Sequence, residues 1–305
     1  IRRQRQMCIR DRYGVGRRSR SDVAICYISD SVDQSVLNRM RKLIQSIDVD
    51  ALTMNIESLA ECMFTHKWIN PFPKFKYSER PDTATAAILD GNIVIMVDNS
   101  PAVMIIPASI FDIIEEADDF NFSPMIGSYL RITRFFFSIV TWILTPLWLL
   151  FVNNPDWVPE FMKFVLITDD ITVPVLLQLL ILELAVDGLK LAAVNTPTML
   201  STPLSIVAGI VVGEYAVSSG WFNPEALLYM AVVTVGTYGQ TNFEMGYAFK
   251  FLRVLTLILT QIFNLGGFIA GVVISVLMIA FNRTITGKSY ICLLYTSPSP
   301  RDYAA

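Results

Sequence analysis

The sequence predicts an α-helical polytopic membrane protein, with about five transmembrane helices preceded by a small cytoplasmic α/β domain. Three observations carry this. Hydrophobic residues make up 53% of the 305 and charged residues only 17%, whereas soluble domains run at roughly 45–50% and about 25%. Mean hydropathy is +0.49. The excess is also confined: up to Leu130 polar and apolar residues mix as in soluble proteins, and beyond it long apolar runs dominate.

Both ends read as foreign to what lies between them. Residues 1–20 hold eight Arg and one Asp without apolar periodicity, and 292–305 are equally unlike their neighbours. Both are expected to be non-native or disordered and to stand outside the fold. Without the first twenty residues the formal charge falls from −3 to −10, which leaves no basic surface for nucleic acid. Cys26 and Cys62 remain between the two ends, with His66 as the one histidine and no C-x-x-C. No metal site and no cofactor are expected from that set.

The soluble domain is expected over 21–128. Residues 22–28 are rich in β-formers and read as a buried strand. Val36, Leu37, Met40, Leu43, Ile44 and Ile47 then recur on one helical face. A second short helix starts at Asn55, a capping residue, with Ile56, Leu59, Ala60 and Met63 inward. Pro71 and Pro73 remove donors and hold their predecessors extended, so 70–73 is irregular. Arg80 can pair with Glu79 or Asp82, and Pro81 stiffens the connection. A helix over 82–89 precedes strands at 93–97 and 102–106, joined by an Asp-Asn-Ser-Pro turn.

The transmembrane domain is expected over 129–291. Residues 132–152 are long enough to span about 30 Å as a helix. Arg131 and Arg134 flank the start of that helix and suit anchoring at lipid headgroups, while 153–160 lack Lys and Arg. That asymmetry puts the soluble domain in the cytoplasm. Further spans are expected at 173–194, 199–219, 226–243 and 254–281. The last is too long for one perpendicular crossing and holds Gly266-Gly267, so it is tilted, kinked or a tight re-entrant pair.

Glu183 and Asp187, four residues apart, share one helical face. Carboxylates at membrane depth are costly unless they meet water, a cation or a partner. Two readings stay open: an ion path, or a wet interfacial face continued by Lys190. Glu214 is a similar candidate. The polar stretch through Tyr238, Gln240 and Asn242 lines a pore or ligand cavity, or else marks an early loop. Gly209-x-x-x-Gly213 and Gly267-x-x-x-Gly271 read as packing. No G-x-S-x-G, Walker A, H-E-x-x-H or dinucleotide fingerprint occurs, so catalytic residues are not expected and the protein reads as a non-enzyme.

Taken in order, several stretches resemble the GerA-type spore germination proteins, which comprise germinant-receptor A subunits and stage V sporulation relatives. They are Asn-Pro-Phe-Pro at 70–73, Tyr-Ser-Glu-Arg-Pro-Asp at 77–82, and Asp-Gly-Asn-Ile-Val-Ile-Met-Val-Asp at 90–98 with Pro101 and Pro107. Gly-Ser-Tyr-Leu-Arg-Ile-Thr-Arg at 127–134, Gly-Glu-Tyr-Ala-Val at 213–217, Pro224 and 247–253 continue the pattern. The resemblance covers nearly all of 21–291 and implies that the chain is a fragment of a longer protein. It implies a multi-pass subunit in the inner membrane of a bacterial endospore, as a homo-oligomer in contact with membrane lipid. It also implies a transporter-like B subunit and a lipoprotein C subunit as partners, and release of monovalent cations in response to germinant. The alternative is a non-conducting scaffold that anchors a cytoplasmic domain and partner subunits.

Overall fold

The computed structural model describes residues 8–53, 56–64, 70–120, 122–168, 172–195, 209–285, 287 and 289–291. The chain forms two compact units, one of 1–124 with 278–305 and one of 125–277. The first break falls at Pro124 rather than 128. Residues from Met278 onward group with the soluble part, not with the helical domain that was expected to reach 291.

The first unit is built on an antiparallel sheet of β1 (Cys8–Val15), β2 (Ser21–Ile28), β3 (Lys76–Ser78), β4 (Ile93–Val97) and β5 (Val103–Ile106), in the order β1-β2-β4-β5-β3. Side chains alternate across a strand, so the apolar run of β4 serves two faces. Ile93 and Ile95 pack with Ile25, Met104 and Ile106 against α1 (Gln34–Gln45) and α2 (Ile56–Met63). Val94 points the other way, with Cys26 and Ile105, and meets Ala84 and Ala87 of α3 (Pro81–Leu89). Each fully buried Ile, Leu or Met here contributes roughly 1.5–3 kcal/mol of transfer free energy.

Both predicted helical faces are the buried ones. Val36, Leu37, Met40 and Ile44 of α1 and Ile56, Leu59, Ala60 and Met63 of α2 are inside. Asp33 caps α1, accepting the Ser35 N–H at 2.9 Å. The expected cap Asn55 lies outside the described residues.

Residues 1–20 were expected to stand outside the fold, and this does not hold for their second half. β1 pairs with β2 along its length, from Cys8 opposite Ile28 to Val15 opposite Ser21. Tyr13 and Val15 pack into the core while Arg10 and Arg12 are exposed. Arg density had masked a period of two. Arg17 then bonds Asp48 in fork fashion, at 3.0 and 2.7 Å. The short β3 was also not anticipated; it pairs with β5.

The proline-bearing stretch is structural. Phe72 is buried, its ring edge-on to Tyr290, and the Pro73 carbonyl accepts the Tyr290 hydroxyl at 2.8 Å. Asn70 donates to Asn282 at 2.8 Å, and the buried Lys74 donates to Asn282 and, at 2.8 Å, to the Arg283 carbonyl. Pro71 and Pro73 thus hold an extended backbone on which 282–291 dock. Arg80 pairs with Asp82 at 2.8 Å and with Asp118. Glu79 is exposed and makes no ion pair among the described residues. Pro81 occupies the first turn of α3, where a missing N–H costs nothing. A capping box between Ser109 and Asp112 opens α4 (Ile110–Ile114).

The second unit holds α5 (Pro124–Asn153), α6 (Val175–Asn195), α7 (Pro224–Tyr238) and α8 (Phe243–Ala280), with a π-helical turn at Gly209–Tyr215. Among the described residues α5 and α8 are the two helices long and apolar enough to cross a membrane. α6 has 21 residues but carries Glu183, Asp187 and Lys190. Most of the 199–219 candidate lies outside the described residues.

α8 turns back on itself. At Asn264 the backbone is non-helical, φ 52° and ψ −129°. A Cβ on Gly267 would sit 1.8 Å from the Leu259 carbonyl oxygen, and one on Gly271 would sit 2.9 Å from Thr256 Cα. Residues eight apart in a straight helix lie about 12 Å apart, so these contacts require two antiparallel arms. The re-entrant reading of this segment is the one that holds, with its first arm starting earlier than predicted, at Phe243. Reciprocal amide bonds of 2.5 and 2.9 Å tie Asn264 to Asn154, just past α5.

Contacts define two ends of the bundle. Asn154 and Asn264 share one end, and Gln178 bonds Asn223 at 2.7 Å near the same end. At the other, Lys190 lies over the Tyr238 and Tyr247 rings. α5 and the first arm of α8 therefore run one way, and α6, α7 and the second arm run back.

Candidate functional site: a buried ion-pair network and cavity

Glu183 and Asp187 of α6 face Lys250 and Arg253 of α8. The spacings match: carboxylates one turn apart meet cations three residues apart. Arg253 donates from Nε to Glu183 Oε1 at 2.5 Å and from Nη2 to Oε2 at 2.8 Å. Its third donor, Nη1, reaches the Thr141 carbonyl of α5 at 2.5 Å. Lys250 bonds the Asp187 carboxylate and the Glu183 backbone carbonyl, the latter at 3.2 Å. Arg253 and Glu183 are buried, so their charges meet in an apolar surround. Such a bidentate pair is tight, but its desolvation offsets much of the attraction.

Beside this network lies a cavity of about 400 Å³, walled by α6, α7 and the first arm of α8, a size that suits small ligands. Five sequence candidates line it: Glu183, Asp187, Tyr238, Gln240 and Asn242. Glu214 is not among them; it is exposed on the π-helical turn. α7 remains helical through Tyr238, so the loop begins only at Gly239. Asn242 caps the start of α8, accepting the Met245 N–H at 3.0 Å. Gln240 donates to Thr141 Oγ1 at 3.4 Å, while its buried amide oxygen has no partner. Gly246 makes room for that amide: a Cβ there would stand 3.0 Å from it.

The expectation for Glu183 and Asp187 was an ion path or a wet interfacial face. Both are engaged by basic side chains of α8, and the lining carries three cations against two anions. Sequence reading had taken Lys190 as continuing a wet face and had not matched Lys250 and Arg253 to the acids. The signal was present: a basic pair three apart in an otherwise apolar helix needs a complementary pair elsewhere. Arg131 and Arg134 of α5 do not line the cavity.

The described residues thus define a mostly helical protein in which a small antiparallel sheet unit precedes a bundle of apolar helices, two of them long and apolar enough to cross a membrane, with ion pairs buried in the bundle. The chain belongs to the GerA family: the family model described as Bacillus/Clostridium GerA spore germination protein matches residues 2–301. Stage V sporulation protein AF of Bacillus subtilis (strain 168) is 36% identical over 271 residues, covering 89% of this chain and 55% of that protein. Spore germination protein GerLA of Bacillus cereus is 26% identical over 291 residues, covering 94% of this chain and 57% of that protein. The chain thus spans about half the length of these relatives. The crystal structure of the N-terminal domain of the A subunit of the Bacillus megaterium spore germinant receptor GerK3 aligns with a TM-score of 0.25 and 28% identity, covering 32% of this chain and 76% of that one.

Proposed function

We propose that this chain is part of a membrane subunit of a spore germination complex, which couples a germinant signal to release of monovalent cations across the spore inner membrane. Family membership supports the germination role. The observation that carries the mechanism is the buried network joining α6, α8 and the α5 backbone through Arg253. Paired in this way, Glu183 and Asp187 act as a latch, not as the lining of the path. Separating a buried pair costs several kcal/mol, so the helices have discrete joined and parted arrangements for a signal to bias. A cation entering this lining would meet a net positive charge, so its route lies elsewhere, between copies of the subunit in a homo-oligomer.

In this reading the first unit faces the cytoplasm and the bundle crosses the membrane about five times. Partner subunits of the B and C kinds complete the complex, and lipid surrounds the helices.

The test restores the complete native gene in its own spore former with Glu183→Gln and Asp187→Asn together, at verified protein level. Altered timing or extent of potassium release after nutrient addition supports the latch; unchanged release removes it. The positive lining also favours a second reading, a non-conducting scaffold. It expects no ion flux from purified oligomers in liposomes, and measurable flux rules it out.

A further inference from the structure

We infer that the cavity beside the ion pairs binds a small oxyanion that also carries hydroxyl or amino donors. The charge balance comes first. Both Glu183 oxygens are taken by Arg253 and the Asp187 carboxylate by Lys250, which leaves Lys190 as the lining cation without an ion pair among the described residues. Its ammonium is held over two rings, 5.4 Å from the Tyr238 centroid and 5.8 Å from that of Tyr247. Ring faces offset only part of an ammonium's desolvation. A counter-anion in the adjoining cavity supplies the rest.

The neutral lining then selects among anions. Thr234 and Thr237 donate to the Met230 and Val233 carbonyls of their own helix at 2.7 and 2.8 Å. Toward the cavity they therefore offer lone pairs only. The Gln240 amide oxygen, buried and without a partner, is a further acceptor. An oxyanion without hydrogens would leave these acceptors unsatisfied, which is unfavourable for buried groups. One with hydroxyl or amino groups satisfies both sides. Lys190 lies within two turns of the end of α6, so the site is open to a soluble acid or to a lipid headgroup with the same glycerol-phosphate chemistry. The inference does not depend on the germination reading.

The test titrates full-length protein in zwitterionic detergent with glycerol phosphate and with sulfate at equal ionic strength. It repeats the titration in nanodiscs of phosphatidylcholine with and without phosphatidylglycerol. Glycerol phosphate should bind at least about tenfold more tightly than sulfate, and Lys190→Gln should abolish the binding while Lys190→Arg keeps it. Binding of the soluble probe identifies a free acid as the source. Dependence on phosphatidylglycerol alone, again lost in Lys190→Gln, identifies the headgroup. Binding of neither probe, or equal binding by wild type and a Lys190→Gln protein of unchanged helical content, overturns the site.

Discussion

Arg253 and Glu183 meet through two parallel N–H···O bonds of 2.5 and 2.8 Å, and the remaining Arg253 donor is taken by the Thr141 carbonyl. One guanidinium thereby joins α5, α6 and α8. Lys lacks the planar fork that engages both oxygens of one carboxylate in parallel while a further N–H reaches a third helix.

Removing one member leaves the other charged and unpaired in an apolar place. Arg253→Met is expected to destabilise the full-length protein by about 3–5 kcal/mol. Glu183→Leu combined with Arg253→Met should recover most of that loss. A double-mutant cycle from thermal unfolding in micelles measures the coupling, and additive single losses would show that the pair does not act as a unit.

The hairpin in α8 gives a prediction with its own control. Gly267→Ala drives a Cβ into the Leu259 carbonyl, and folded protein should be lost. Gly266 has open space at its Cβ position, so Gly266→Ala should shift stability by no more than about 1 kcal/mol. Expression and size-exclusion profiles of the two variants separate these outcomes.

Asn264 sits at positive φ and exchanges hydrogen bonds with Asn154. Asn264→Gly relieves backbone strain of about 1–3 kcal/mol while losing bonds worth about 1 kcal/mol each, so its net effect should be near zero. Asn264→Val loses the bonds and adds strain. Its unfolding temperature should fall clearly below that of the Gly variant, and equal values would place the turn elsewhere.

In the sheet-bearing unit, hydrogen bonding from Arg80 lowers the Asp82 pKa to about 2. A depressed carboxyl pKa contributes stability that is present above its unfolded value, about 3.9, and lost as pH falls through about 2. Carbon-detected NMR of labelled aspartates should find that midpoint in wild type. In Arg80→Gln it should return toward the ordinary carboxylate range; an unmoved midpoint would assign the shift to another neighbour. Exposure of the pair makes the stability effect small.

Much of the local structure was legible in the sequence. The buried faces of α1 and α2, the β4–β5 hairpin and the irregular prolines followed from periods of 3.6 and 2 and from missing donors. β1 was not legible because its inward residues were embedded in arginines, and β3 because three residues carry no period. Glu183, Asp187, Tyr238, Gln240 and Asn242 were singled out by cost, as polar groups in apolar surroundings, and they line one cavity. Glu214 was chosen on the same ground and lies apart from it, exposed on its turn.

The sequence by itself determined that apolar helices follow a small sheet domain, and that certain polar groups in them need partners. Both are local facts, set by composition and by spacing along one element. Only the tertiary structure decided which partners those are: Arg253 and Lys250 for the two acids, and the Tyr238 and Tyr247 rings for Lys190. It also decided that α8 folds back at Asn264, and that the segment after it docks on Pro73 and Lys74 through Tyr290 and Asn282. Pairing across distant elements depends on register and direction between helices, and neither is written in the period of any one of them.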